Sequence, residues 1–271
     1  RYGVEIVFVP NDEYGQIDTA VLANMIDDRV KLIAISHIPT GNGLVNPAAA
    51  VGQIARAAGI PFLLDSCQGI GQIPVDVAAI GCDIVCGTGR KFLRGPRGTG
   101  LLYVRRDLLS HLEPPFLDQH AATLLSPTSY RVRPDAKRFE NWEQYLAGKA
   151  ALATAVEYAL SYGLAAIQER IYHLAAILRQ KLAAIDGVTV RDLGQEQCGL
   201  VTFTAVQKSP AELKCLLRRQ RINVSTSEGA GNLVLFQHEG LTSVVRASLH
   251  YFNTEQEIDY FIATLRQLLA E

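Results

Sequence analysis

Short apolar runs and helical stretches alternate along the first part of the chain. The apolar runs predict strands at residues 4–9, 31–35, 60–64, 84–86 and 100–104. Helical stretches lie between them at residues 19–26, 48–58 and 75–80. Strands separated by helices are typical of crossover connections between parallel strands. The pattern therefore predicts an α/β fold, with three layers built on a mostly parallel sheet.

The pattern changes after Arg106. Residues 111–141 contain four prolines and no sustained periodicity, which predicts a long irregular connection. Beyond it, helices are predicted at residues 143–162, 164–185, 210–220 and 254–269, and strands at residues 188–190, 200–204, 222–224, 233–236 and 244–249. Thr254 and Glu257 form a capping box for the last helix. We expect two domains, residues 1–145 and residues 146–271, of which the second is a connecting helix and a smaller α+β domain.

Composition and charge narrow the class of protein. Hydrophobic residues make up 48% of the chain and charged residues 20%, values that exclude an intrinsically disordered chain. The net charge of −1 lacks the basic field of a nucleic-acid binder. The most apolar stretch, residues 145–167, is interrupted by Lys149 and Glu157, so no membrane span is expected. Five cysteines and no secretory signal favour a reduced, cytoplasmic protein.

The chain opens at Arg1, without an initiator Met and directly before an apolar run. Two interpretations stay open: the start of the protein was removed, or the chain is a fragment of a longer protein.

Asp65 follows a buried strand at the sheet edge where α/β proteins bind ligands. A buried carboxylate is costly unless a cation accompanies it. Two interpretations stay open: Asp65 binds a ligand, or it caps the following turn with Gln68 reaching back to it.

Residues 88–100 combine four glycines with four cations, Arg90, Lys91, Arg94 and Arg97. Such a loop suits an anion such as phosphate, although a solvated basic loop would have the same composition. Positive neighbours and partial burial would lower the pKa of Lys91 and favour the neutral amine that attacks a carbonyl.

Arg246 lies inside an apolar strand pattern, where it needs a carboxylate from a substrate or from an internal salt bridge. Cys82 and Cys86 have no second pair of ligands, so we interpret them as structural thiols and expect no metal site. His37 follows a predicted strand and could line a pocket.

Six motifs occur in a fixed order, at residues 36–43, 64–68, 71–76, 81–83, 88–100 and 246–254. Together they resemble the class V aminotransferase family of pyridoxal-phosphate enzymes, which have the aspartate-aminotransferase-like fold. The sequences of residues 94–100 and 139–143 are similar to those of the branch that contains hercynylcysteine sulfoxide lyases and isopenicillin-N-epimerase-like proteins. That branch is related to cysteine desulfurases.

The resemblance implies a role for each candidate residue. Lys91 would form the Schiff base with pyridoxal 5'-phosphate and move the substrate's α-proton, and Arg246 would hold the α-carboxylate of an amino-acid substrate. Asp65 would pair with the pyridine nitrogen of the cofactor, and Gln68 would bind its phenolate oxygen. Thr88 and Arg90 would bind its phosphate, and Thr40 would lie beside it. The resemblance also implies that residues 1–145 are a cofactor-binding large domain of fold type I, incomplete at its N-terminus, and that the protein is a homodimer.

The function that we expect is a carbon–sulfur lyase that acts by β-elimination. Aminotransferase and epimerase activities remain open because they begin with the same deprotonation, and so does a truncated chain without catalysis. Residues 224–229 contain no cysteine, which disfavours the enzyme-bound persulfide of cysteine desulfurases. The resemblance implies that roughly the first quarter of the family's fold also helps to hold the cofactor, so we expect this chain alone to retain it weakly.

Overall fold

The computed structural model describes residues 3–229, 236 and 239–271, in which two four-stranded sheets flank two long helices. The elements of the first part are α1 (Thr19–Met25), β1 (Ile33–Ser36), α2 (Ala48–Ala58), β2 (Phe62–Asp65), α3 (Val77–Ile80), β3 (Ile84–Thr88), β4 (Gly100–Val104), β5 (Ala122–Ser126) and β6 (Ser129–Val132). Those of the second part are α4 (Leu146–Tyr162), α5 (Leu164–Ala183), β7 (Val188–Val190), β8 (Leu200–Ala205), α6 (Pro210–Arg219), β9 (Ser225–Glu228), β10 (Ser243–Ser248) and α7 (Glu255–Ala270).

The first sheet has the order β1-β2-β3-β4, and its first three strands are parallel. Phe62 and Leu64 of β2 are fully buried, as expected for the central strand of a covered sheet. The carboxyl ends of the parallel strands lie at one edge, where Asp65 has Ser36 on one side and Cys86 on the other. The predicted α/β class is confirmed, and this edge positions the candidate site.

The second sheet is antiparallel, with the order β7-β8-β10-β9. Its core combines Leu178 of α5, Phe203 of β8, Leu213 of α6, Val245 of β10 and Leu265 of α7. The capping box predicted for the last helix is present, since Thr254 Oγ1 accepts a hydrogen bond from the Glu257 amide and the Glu257 carboxylate accepts one from the Thr254 amide.

A third apolar cluster lies between the two sheets. It includes Ile38 after β1, Phe92 after β3, Ile171 of α5 and Leu200 of β8. Because the segments that follow β1 and β3 and a strand of the second sheet all contribute to it, the cluster packs the carboxyl edge of the first sheet against the second sheet.

Helices α4 and α5 meet at Gly163, which has a φ of 84°. An L side chain rarely adopts this backbone conformation, so glycine suits the break. None of the described helices alone is long and apolar enough to cross a membrane, although α4 and α5, which are bent by 79°, pass that test of length and composition together.

The structure corrects the strand predicted at residues 4–9. This segment forms no strand, and Val4, Ile6 and Phe8 are exposed. A strand requires a hydrogen-bonded neighbour, and no described strand of the chain supplies one here.

Two further predictions are wrong. Residues 111–141 contain the β5–β6 hairpin rather than an irregular connection, and the buried Arg138 anchors this segment by donating to the carbonyls of Leu109 and Leu112 at 2.6 and 3.0 Å. The strand predicted at residues 222–224 lies instead at β9, because the polar residues there pair with β10. The strand predicted at residues 233–236 lies outside the described residues except for Phe236.

Candidate active site

Asp65 ends β2 at the carboxyl edge of the first sheet. Its main-chain carbonyl accepts from the His37 amide at 2.8 Å, and its Oδ1 accepts from the Cys67 amide at 2.9 Å. The capping interpretation is therefore correct for this oxygen. Within the described ranges no cation makes an ion pair with the carboxylate, so Asp65 retains the capacity to bind a cationic ligand.

Gln68 is buried, and its amide does not reach back to Asp65. Its Nε2 donates instead to Thr40 Oγ1 at 3.5 Å, a long contact between the turn after β2 and the loop after β1. The structure thus brings two of the predicted site residues, Gln68 and Thr40, together.

Lys91 lies in the turn after β3, where its carbonyl accepts from the Arg94 amide at 2.9 Å. Burial lowers the pKa of Lys91, and the positive charges of Arg90 and Arg246 lower it further, while Cys67 and Asp65 oppose them. The direction agrees with the expectation from sequence, but Arg246 takes the place of Arg94 as the second cation. The result is a half-buried amine with an increased neutral fraction.

Thr88 and Arg90 flank Gly89 just before this lysine. The main chain closes the loop, because the Gly89 amide donates to the Thr99 carbonyl and the Gly95 amide donates to the Gly89 carbonyl. Neither the Thr88 hydroxyl nor the exposed Arg90 guanidinium makes a hydrogen bond or ion pair with another described residue. Both groups are available to an anion.

Arg246 of β10 projects from the second sheet toward the loop after β1. Its guanidinium donates to the Thr40 carbonyl at 3.2 Å and to Ser225 Oγ at 3.1 Å. Burial lowers the pKa of Arg246. No carboxylate of the described chain pairs with it, so the internal salt bridge is excluded there and a ligand carboxylate would complete its charge pairing.

His37 lies just after β1, and its side chain supports the turn after β2. It is buried, its Nδ1 lies 3.3 Å from Ser66 Oγ, and burial lowers its pKa to about 4. We therefore interpret it as a neutral support of the turn that carries Asp65.

Sequence reasoning missed two thiols beside Asp65. The Sγ atoms of Cys67 and Cys86 and a carboxylate oxygen of Asp65 all lie within 4.8 Å of one another. Burial raises the pKa of Cys67 to about 11 and also raises that of Cys86, and Asp65 adds to both shifts. The grouping could have been found from the adjacent parallel strands, which place Cys86 beside Asp65 rather than beside Cys82.

Sequence reasoning also missed how the lysine loop is held. His250 Nδ1 accepts from the Tyr251 amide at 3.0 Å, so Nε2 is the donor to the Phe92 carbonyl at 3.0 Å. The Arg94 guanidinium donates to the Tyr251 hydroxyl and lies 5.0 Å from the ring centroids of Tyr158 and Tyr251. The segment after β10 thereby fixes the loop that carries Lys91.

The family model for Aminotransferase class-V matches residues 1–261. A probable cysteine desulfurase of Xylella fastidiosa (strain 9a5c) is 33% identical over 254 residues, which cover 93% of this chain and 60% of the relative. The chain therefore spans less than two thirds of that relative.

Two solved structures are similar to the chain at 25% identity. The apo structure of a cysteine desulfurase from Thermococcus onnurineus NA1 has a TM-score of 0.92, with 99% of this chain and 67% of the other covered. The complex of the cystine C-S lyase C-DES with its reaction product cysteine persulfide has a TM-score of 0.79, with 92% and 64% covered.

Proposed function

Because this chain belongs to the class V aminotransferase family, we propose that it carries the reaction centre of a pyridoxal-phosphate enzyme that breaks a carbon–sulfur bond of an amino acid by β-elimination. Its fold is that of the fold type I pyridoxal-phosphate enzymes. The observation that carries the proposal is the half-buried Lys91 amine, whose pKa is lowered and which lies within electrostatic range of Asp65 and Arg246.

The donor set fits the cofactor. Pyridoxal phosphate has a ring nitrogen, a phenolate, an aldehyde and a phosphate, and the proposed partners are Asp65 for the nitrogen, Gln68 for the phenolate with Thr40 beside it, Lys91 for the aldehyde, and Thr88 and Arg90 for the phosphate. The unengaged hydroxyl of Thr88 and guanidinium of Arg90 support the phosphate assignment. When bound, the cofactor supplies an electron sink for negative charge at the substrate's α-carbon.

The chain's own residues would bind the substrate and move its proton. Arg246 binds the α-carboxylate through a guanidinium that is already oriented by Thr40 and Ser225. Lys91 Nζ, which is more often neutral because of its lowered pKa, accepts the proton from the substrate's α-carbon. His250 and Arg94 hold the turn that positions this nitrogen.

The relatives support carbon–sulfur cleavage, and the positions of the cysteines indicate where the sulfur goes. The similar proteins are named as cysteine desulfurases and as a cystine C-S lyase. The five cysteines of this chain are Cys67, Cys82, Cys86, Cys198 and Cys215, and none follows β9. We therefore propose that sulfur leaves with its product rather than on an enzyme thiol.

Product analysis tests the proposal. The protein is incubated with pyridoxal phosphate and with cysteine, cystine or a cysteine sulfoxide, and we expect pyruvate, ammonia and a sulfur product. A keto acid that keeps the substrate's sulfur, formed together with aminated cofactor, or loss of optical activity without cleavage would overturn it in favour of transamination or epimerisation.

Borohydride reduction followed by peptide mapping tests the role of Lys91. We expect the cofactor label on the Lys91 peptide and its loss in Lys91→Ala, whereas Lys149→Ala, which changes an exposed lysine of α4, should keep it. Absence of label from a cofactor-loaded protein would favour a chain without catalysis.

We also propose that the chain divides into a cofactor-binding part, residues 1–145, and a part that supplies the substrate arginine, residues 146–271. The two separate sheets support this division. Membership of the family supports a homodimer, which light scattering on the eluted protein tests.

A further inference from the structure

Asp65, Cys67 and Cys86 form a compact cluster of possible metal ligands. One carboxylate oxygen and two Sγ atoms all lie within 4.8 Å of one another, and all three residues are half-buried. Solvent therefore reaches the cluster, unlike Cys198, which is fully buried.

The backbone fixes the three ligands relative to one another. Asp65 and Cys86 are opposite each other in adjacent parallel strands, and the Ser66 amide donates to the Cys86 carbonyl at 2.9 Å. Cys67 lies in the turn after β2, and its own amide donates to Asp65 Oδ1 at 2.9 Å. Little chain entropy remains to be lost when a metal binds.

The donor set selects soft cations. Thiolates favour Zn²⁺ or Cd²⁺ over Mg²⁺ and Ca²⁺, which prefer oxygen ligands. With Zn–S bonds of about 2.3 Å, two sulfur ligands of a tetrahedral zinc stand about 3.8 Å apart. Because no two ligand atoms are more than 4.8 Å apart, a contraction of at most about 1 Å closes the cluster around such an ion.

We propose that Asp65, Cys67 and Cys86 bind one thiophilic divalent cation, such as Zn²⁺ or Cd²⁺, in the cofactor-free protein. Each thiol releases its proton to solvent and forms a sulfur–metal bond, the carboxylate supplies the third ligand, and water completes the fourth position. The sequence predicts no metal site because Cys82 and Cys86 have no second pair of ligands nearby in the chain, whereas the fold places Cys86 beside Cys67 and Asp65.

The cluster has a consequence for cofactor binding that rests on the proposed function. Asp65 is the proposed partner of the pyridine nitrogen, and the same carboxylate cannot serve a metal ion and that nitrogen together. Metal and cofactor are therefore expected to exclude each other.

Cadmium titration of the cofactor-free protein tests the site, followed by the thiolate-to-cadmium charge-transfer absorption. We expect one Cd²⁺ per chain. Cys67→Ser and Cys86→Ser should each weaken binding by at least about tenfold, since even the loss of an outer-shell partner costs that much. Cys215→Ser, which changes an exposed lone thiol, is the matched control and should titrate as the unmodified protein does.

Folding of each variant is checked by circular dichroism, and Asp65→Asn provides a third variant that keeps both thiols. Unchanged titrations in Cys67→Ser and Cys86→Ser, or loss of the signal in Cys215→Ser, would overturn the proposal. Lys91→Ala should still bind Cd²⁺, so that a failure of the proposed catalytic role is distinguished from a failure of the metal site.

Competition is measured by adding Zn²⁺ before pyridoxal phosphate. Uptake of the cofactor should fall in the unmodified protein but much less in Cys86→Ser. Metal binding in the cadmium titration without competition here would support the metal site and overturn the assignment of Asp65 to the pyridine nitrogen.

Discussion

Arg246 is a half-buried guanidinium whose hydrogen bonds go to a carbonyl and a hydroxyl rather than to a described carboxylate. Hydrogen bonds to a charged partner contribute about 1.5–3 kcal/mol, so loss of a substrate carboxylate contact should cost about 2 kcal/mol. We predict that Arg246→Gln lowers kcat/KM by about 30-fold, mainly through KM.

Steady-state kinetics with the best sulfur amino acid measures this effect. Arg219→Gln, a change at an exposed arginine of α6, should leave both constants as they are. An unaltered KM in Arg246→Gln would remove this arginine from substrate binding.

His250 and His37 make the free energy of unfolding of the protein depend on pH under mildly acidic conditions. Burial lowers the pKa of each to about 4, and the charge of Arg94 adds to the shift at His250 while the Phe92 carbonyl opposes it. An unfolded histidine has a pKa near 6.5, so the unfolded chain takes up the proton first as pH falls. The stabilisation is therefore complete above about pH 6.5 and is lost as pH falls toward 4.

We predict that the free energy of unfolding falls by about 2 kcal/mol per histidine between pH 7.5 and pH 5. Urea unfolding at the two pH values measures the loss. His250→Gln should reduce the difference, whereas His111→Gln, at an exposed position, should preserve it. Equal losses in His250→Gln and the unmodified protein would show that His250 is not the titrating group.

Among the elements, those with local signals could be predicted from sequence. Helix α2 has the predicted bounds because proline precedes it and Gly59, in the left-handed conformation, ends it. By contrast, β9 consists of polar residues and exists through its pairing with β10, which no local pattern indicates. The strand predicted at the apolar residues 4–9 does not form for the complementary reason, since β-propensity without a neighbouring strand does not make a strand.

The capping box of α7 is an element whose energy can be tested directly. Thr254→Ala removes the hydroxyl that accepts from the Glu257 amide and should lower the free energy of unfolding by about 1 kcal/mol. Thr154→Ala, at an exposed position inside α4, should be neutral or slightly stabilising because alanine is the better helix former. Thermal or urea unfolding of both variants measures the difference, and equal effects would contradict a specific cap.

At the scale of the whole molecule, contacts between distant parts of the chain could not be read from sequence. The motifs gave Lys91, Asp65 and Arg246 as candidates, but not that Arg246 donates to the Thr40 carbonyl or that His250 holds the lysine loop. Such contacts depend on how the second sheet docks on the first, which is set by three-dimensional packing and not by spacing along the chain.

One buried ion pair lies where the loop after β1 meets the second sheet. Arg179 Nε contacts Asp192 Oδ2 at 2.7 Å, and Arg179 also donates to the carbonyls of Cys198 and Leu200. The Cys198 amide donates to the Gly43 carbonyl at 2.8 Å, and a side chain at Gly43 would collide with this pair. The ion pair therefore stabilises the contact between the loop after β1 and the second sheet, through which Thr40 reaches Arg246.

We predict that Asp192→Asn lowers the free energy of unfolding by about 3–5 kcal/mol, because it leaves the Arg179 charge buried without its partner. The exposed pair of Arg29 and Asp27 is the matched control, and Asp27→Asn should change the free energy of unfolding little because solvent screens the pair. Urea unfolding gives both values. Similar losses in the two variants would mean that the buried pair contributes no more than a surface pair. The contact between the loop after β1 and the second sheet would then have to be stabilised by the apolar cluster between the sheets.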